Sequence, residues 1–248
     1  MDLRVPSKQL FFISIIQFFL KGISSLKGIR VMNKLVSTPI EGMSAAGSTM
    51  GITICFEPNF YLESLIISKQ VVLLVFIINT IDFYKDCYLL KKPNTDSVIH
   101  HFITYFVIIK SFIMDIRMLP YFAAIMGTFE IVGPFYQIIY ILKLIKPPST
   151  QIRNEDIFYK INFIDFLMKI LIVILTIWFR LIFFIYVLFK NLYILGNPIC
   201  GGSFSFLLFI LLTAIIFIYL DVIWSIKNIT KLFTNKPISW GKLNNKTF

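Results

Sequence analysis

Residues 163–189 read FIDFLMKILIVILTIWFRLIFFIYVLF, 27 residues in which only Asp165, Lys169 and Arg180 carry charge. Wound as an α-helix, such a run is about 40 Å long, more than the roughly 30 Å of a bilayer's hydrocarbon core. No soluble domain needs an apolar helix of that length. Whole-chain composition agrees: 57% of the 248 residues are apolar and 15% charged, with a mean hydropathy of +0.80. An ordinary soluble domain is nearer 45–50% apolar and about 25% charged. The chain is therefore expected to be an all-α polytopic membrane protein, since a helix satisfies its own backbone hydrogen bonds where no water is present.

Working outward from that run, the sequence predicts about seven transmembrane helices, at Gln9–Leu26, Pro39–Phe56, Leu62–Phe83, Val98–Met114, Leu119–Leu144, Phe163–Phe189 and Phe204–Ile226. The second is rich in small residues (GMSAAGSTMG), which let helices approach closely. Charge tests the count, because Lys and Arg gather on the side that is not translocated. Seven crossings put Arg4, Lys8, Arg117 and Lys190 on one side and sixteen basic residues on the other. The carboxyl terminus is then expected on the cytosolic or matrix side and the amino terminus opposite. The formal charge of +11 reads as orientation and attraction to anionic lipid. No basic cluster interleaved with aromatics suggests nucleic acid as a partner.

Cys55, Cys87 and Cys200 lie far apart, with no spacing that suggests zinc or a disulfide framework. No cleaved signal is expected after Asp2, Arg4 and Lys8. The sequons at Asn228 and Asn245 fall on the basic side and are expected to be unglycosylated. The predicted organisation is an amino-terminal segment with the first helix (residues 1–32), a transmembrane domain (33–231) and a polar tail (232–248).

Ionisable side chains inside the spans are costly, by about 2.5–3.5 kcal/mol each at a helix centre, and mark functional candidates. They are Lys69, Asp82, His100, His101, Lys110, Glu130, Asp165, Lys169, Arg180 and Asp221. Adjacent helical positions diverge by about 100°, so His100 and His101 are poorly placed to share one metal ion, whereas His100 and Thr104 share a face. The His pair suits acid/base or substrate-positioning work, or else two satisfied interfacial imidazoles. Arg180 requires an anion, with Glu130 the first expectation and Asp221 the second. Asp165 and Lys169 are spaced to neutralise each other, and Lys69 and Lys110 to snorkel. No metal or cofactor is expected.

The order of these motifs resembles the TLC-domain family, the multi-span proteins related to translocating-chain-associated membrane protein and the ceramide synthases. His100-His101 with Thr104 and Ser111 is similar to the family's HHxxT…S motif, preceded by Asp82. The EIVGPF of Glu130–Phe135 is similar to the ExxxPF pattern of the branch outside the ceramide synthases, and Arg180, Asp221 and Trp224 complete the order. NKLVS, at residues 33–37, faintly resembles the family's early segment. Ile40 stands where that segment carries His, Asp115 and Met118 stand where the synthases carry Asn and Arg, and the synthases' later acidic pair is not visible.

The resemblance implies a TLC-like seven-helix bundle with a lipid-accessible interior, without support for synthase-type acyl transfer. The expected function is a non-catalytic membrane protein that binds lipid and packs as an accessory subunit of a larger assembly, with other membrane subunits as partners. A lipid-modifying or lipid-transporting protein using His100 and His101 is the alternative. Either an inner mitochondrial membrane or the endoplasmic reticulum suits the expectation.

Overall fold

The structure is a computed structural model that describes residues 7–46, 58–89, 95–145, 155–198 and 201–233. Those residues form α1 (Ser7–Ala46), α2 (Pro58–Tyr84), α3 (Thr95–Ile113), α4 (Leu119–Phe129), α5 (Gly133–Ile145), α6 (Glu155–Leu175), α7 (Phe184–Gly196) and α8 (Phe204–Phe233). Among them there is no β-strand, so the all-α expectation holds. A π-helical turn, Lys85–Leu89, extends α2; another, Thr176–Phe183, joins α6 to α7 without interruption.

Among the described residues, six helices are long and apolar enough to cross a membrane: Lys8–Asn33, Leu62–Tyr88, Thr95–Ile113, Ile116–Ile145, Phe163–Leu192 and Phe204–Thr230. Six of the seven predicted runs correspond to these. The other, Pro39–Phe56, has no counterpart as a separate helix among the described residues: residues 39–46 continue α1, and residues 47–56 lie outside the description. Cys55, Cys200, the second sequon and the tail beyond Phe233 also lie outside it.

The Ile116–Ile145 span is the centre of the bundle. Its two helices touch α1, α2, α6 and α7, and ten of the eleven residues of α4 are buried. Small residues make this possible. A Cβ on either Gly28 or Gly127 would lie 2.5 Å from the other's Cα, so α1 and α4 cross backbone to backbone. Around this crossing the core gathers Val31, Val71, Ala123, Ala124 and Phe184. The outer surface shows Phe12, Phe76, Phe106, Ile174, Leu212 and Ile215, apolar residues that lipid can cover.

α1 and α2 run antiparallel. Arg30 meets Glu63 at 2.6 Å, Lys27 meets Gln70 at 2.7 Å and Lys21 meets Asp82 at 2.8 Å, so later residues of α1 face earlier ones of α2. Between α3 and α4, Asp115 accepts from the Arg117 backbone N–H at 2.9 Å and from its guanidinium at 2.7 Å. The Arg117 side chain, chiefly, holds the Asp115 carboxyl below its ordinary value. The chain between α7 and α8 packs on the same carboxylate through Gly201, whose φ of +83° favours glycine.

Candidate functional site

The polar residues of the spans converge on the bundle interior from α1, α2, α3, α5, α8 and the π-helical turn of α6–α7. On α2 and the π-helical turn that extends it, Asn79, Asp82 and Asp86 are buried about one helical turn apart, each turned inward. Asp82 is the first hub. It pairs with Lys21 at 2.8 Å and Lys85 at 2.7 Å, and accepts from the Gln17 amide at 2.7 Å. Lys85 also donates to the Gln17 carbonyl at 3.2 Å, closing a ring between α1 and α2. The Lys21 side chain then crosses Gly133, where a Cβ would come within 2.4 Å of its Cδ, and reaches Glu130 at 4.0 Å.

His101 anchors a second cluster. Its Nδ1 lies 2.7 Å from the Asn79 side-chain oxygen, while the Asn79 amide donates to the His101 backbone carbonyl at 3.2 Å. Its Nε2 lies 3.3 Å from Ser97 Oγ and 3.5 Å from Asp86 Oδ2, and the Ser97 hydroxyl donates to that same carboxylate oxygen. His100 diverges, as adjacent helical residues must. Its ring sits edge-on to Trp224 and Phe217 of α8, with centroids 5.2 and 5.4 Å away. Thr104 donates to the His100 carbonyl at 2.8 Å, so the shared face exists, but through the backbone. Ser111 bonds within its own helix, to the Ile108 carbonyl at 2.6 Å, and does not join the cluster.

Arg180 forms the third cluster, and here the structure corrects the expected partner. Its Nη1 donates to Asp221 Oδ1 at 3.1 Å, and its Nε and Nη2 donate to the Phe129 carbonyl at 3.0 and 2.7 Å. Glu130, the first expectation, faces Lys21 instead. The reason begins at Pro134, which has no N–H to return to the Glu130 carbonyl. The Gly133 N–H takes that carbonyl, tightening residues 130–132 into a 3₁₀ turn. Phe129 thereby loses its normal i+4 donor, and its carbonyl accepts from Arg180. Asn228, also on α8, donates to the buried Tyr136 hydroxyl.

Of the sequence candidates, Asp82, His100, His101, Glu130, Arg180 and Asp221 thus belong to one interior belt, with Thr104 supporting it. Gln17, Lys21, Asn79, Lys85, Asp86, Ser97, Tyr136 and Asn228 belong to it too; none of them was among the candidate site residues of the sequence, where Asn228 stood only as a sequon. Asp165 pairs with Lys169 at 2.5 Å, as their spacing predicts. Lys69 is exposed and Lys110 lies over the Phe209 ring. Chemically, the belt neutralises charges across helices and offers hydrogen-bonding groups beside two imidazoles. Comparison of the chain with protein-family models, curated proteins and solved structures gives no match.

Proposed function

We propose that this chain is a non-catalytic, TLC-like membrane bundle that binds lipid around its perimeter and serves as an accessory subunit of a larger membrane assembly. The observation that carries the reading is how the intramembrane charges are used. Arg180 is committed to Asp221 and a backbone carbonyl, Lys21 and Lys85 to Asp82, and His101 to Asn79, Ser97 and Asp86. The contacts of Arg180 with Asp221 and Phe129, of Lys21 with Asp82, and of His101 with Asn79 and Asp86 each join different helices, while Lys85–Asp82 and His101–Ser97 lie within one helix. Such a belt fixes the register of helices that have no hydrophobic drive to associate in lipid. The motif order from Asp82 to Trp224 supports the family part of the proposal.

A second reading rests on His100, which is less buried than His101 and lies against the aromatic edge of α8. An imidazole that is half-buried and not fully enclosed suits work on a lipid head group or acyl chain.

One experiment separates the two readings. Gentle-detergent extraction from the native membrane, native-gel sizing and mass spectrometry should find the chain as a stoichiometric part of a large complex. The His100→Ala/His101→Ala variant should leave membrane lipid composition unchanged. Migration alone with one enriched lipid class, together with a lipid change in that variant, would overturn the accessory reading in favour of lipid chemistry or transport.

A further inference from the structure

The hydrogen-bond geometry around His101 counts protons. Asn79 has only one orientation that suits both of its contacts: its amide must donate to the His101 backbone carbonyl, which leaves its oxygen facing Nδ1. Nδ1 must therefore carry hydrogen. On the ring's other side, the Ser97 hydroxyl hydrogen is already given to Asp86. Nε2 consequently faces two oxygens, Ser97 Oγ at 3.3 Å and Asp86 Oδ2 at 3.5 Å, neither of which has a hydrogen to offer it. A neutral imidazole has one donor and one acceptor, while this site presents acceptors to both nitrogens.

Charge gives an independent count. The interior belt holds three cationic side chains, Lys21, Lys85 and Arg180, against four carboxylates, Asp82, Asp86, Glu130 and Asp221. One uncompensated negative charge in a low-dielectric interior is unfavourable. Lys85 answers to Asp82, Lys21 lies between Asp82 and Glu130, and Arg180 answers to Asp221, so Asp86 is the carboxylate without a cation of its own among these pairs. It is the one beside His101.

We propose that Asn79, Asp86, Ser97 and His101 form an intramembrane proton-binding site, in which His101 carries hydrogen on both ring nitrogens and pairs with the Asp86 carboxylate. The ligand is a proton, and its uptake makes the belt neutral. The groups facing the ring are Asn79, Asp82 and Asp86 from α2 and Ser97 and His100 from α3. The Asp86 charge is felt by Tyr140 of α5, Lys21 of α1 acts through Asp82, and Lys227 of α8 pairs with Asp96, next to Ser97. With the proton bound, α2 and α3 are clamped by donors matched to acceptors. Its removal leaves a ring lone pair opposed to a carboxylate.

The test is nitrogen-15 NMR of the full chain labelled at histidine in lipid nanodiscs. There are only two histidines, and subtraction of the His101→Gln spectrum assigns the ring. At neutral pH both His101 nitrogens should show directly bonded hydrogen, and Asp86→Asn should reduce that to one. Where Asp86→Asn fails to fold, Ser97→Ala keeps the counter-ion and should retain both hydrogens. A bare His101 nitrogen in the wild-type chain overturns the proposal, as does persistence of both hydrogens in Asp86→Asn or loss of one in Ser97→Ala.

Discussion

Arg180 donates two hydrogen bonds to the carbonyl oxygen of Phe129, at 3.0 and 2.7 Å, and so ties the π-helical turn of one span to the proline break of another. Its third contact, to Asp221 at 3.1 Å, joins α8 to the same point. Removing one member of a buried pair leaves the other charge uncompensated, at a cost of about 3–5 kcal/mol. Arg180→Met is expected to lower the thermal unfolding midpoint of the detergent-solubilised chain sharply. Arg180→Lys should recover only part of the loss, because an ammonium cannot reproduce a planar fork that serves carbonyl and carboxylate together. The double variant Arg180→Met/Asp221→Leu should be more stable than Arg180→Met alone. If Arg180→Met unfolds at the wild-type temperature, the pair is not structural.

Two glycines of α1 should answer oppositely to the same substitution. A Cβ at Gly28 meets the Gly127 backbone at 2.5 Å, whereas one at Gly22 meets nothing within 4 Å. Gly28→Ala must push α1 from α4, and overpacking of this kind costs about 1–3 kcal/mol. Gly22→Ala relieves a mid-helix glycine and should stabilise by up to about 1 kcal/mol. Unfolding midpoints of the two variants in one detergent check the sign of each.

Much of this arrangement was written in the sequence as spacing. Asn79, Asp82 and Asp86 recur at helical intervals, as do Ser97 with His101 and Asp221 with Asn228, and each set marks the polar face of an otherwise apolar helix. The apolar runs gave the spans for the same reason: in lipid, length and hydropathy dominate. The partner of Arg180 was not legible. Choosing between Glu130 and Asp221 requires knowing how the 3₁₀ turn at residues 130–132 aims the Glu130 side chain, which here faces Lys21 across Gly133. Lys21 and Lys85 were also hidden, because lysines near the ends of apolar runs read as interfacial charges, and only the packing of α1 on α2 turns them inward onto Asp82.

The turn at Asp115 should give the fold an acid-sensitive element. Hydrogen bonds from the Arg117 side chain hold the Asp115 carboxyl below the usual value of about 3.9 for an unfolded chain. A depressed folded value means that the contribution is fully present above the unfolded value and is lost as the pH falls through the folded one. Both side chains are about a third exposed, at 33% and 36%, so solvent keeps the effect under about 1 kcal/mol. Asp115→Asn should therefore narrow its stability gap to wild type as the pH falls below about 4. Unfolding midpoints of the two proteins from about pH 6 to pH 3 measure that gap, and a gap that does not change with pH rules the contribution out.

The placement of the chain's two ends is the most decisive prediction, because the crossing count determines it. Seven crossings would put them on opposite faces of the membrane. Among the described residues, however, α1 is antiparallel to α2, which places the Ser7 end of α1 beside the Tyr84 end of α2. Asp96, at the start of α3, pairs with Lys227 near the end of α8. The first described residues and the last spanning helix therefore finish at one end of the bundle. The basic residues agree with six crossings at least as well as with seven. Counted along the sequence with six crossings, alternate connectors on one side carry Arg4, Lys91, Lys92, Lys146, Arg153, Lys160, Lys231, Lys236, Lys242 and Lys246, and those on the other carry Lys34 alone. Arg4 and Lys8 are too few to have decided the matter by themselves. Epitope tags placed before Met1 and after Phe248 should thus be reached by antibody from the same face in sealed vesicles. Protection of one tag and labelling of the other would require an additional crossing between α1 and α2, and with it a different pairing of Lys21 and Asp82.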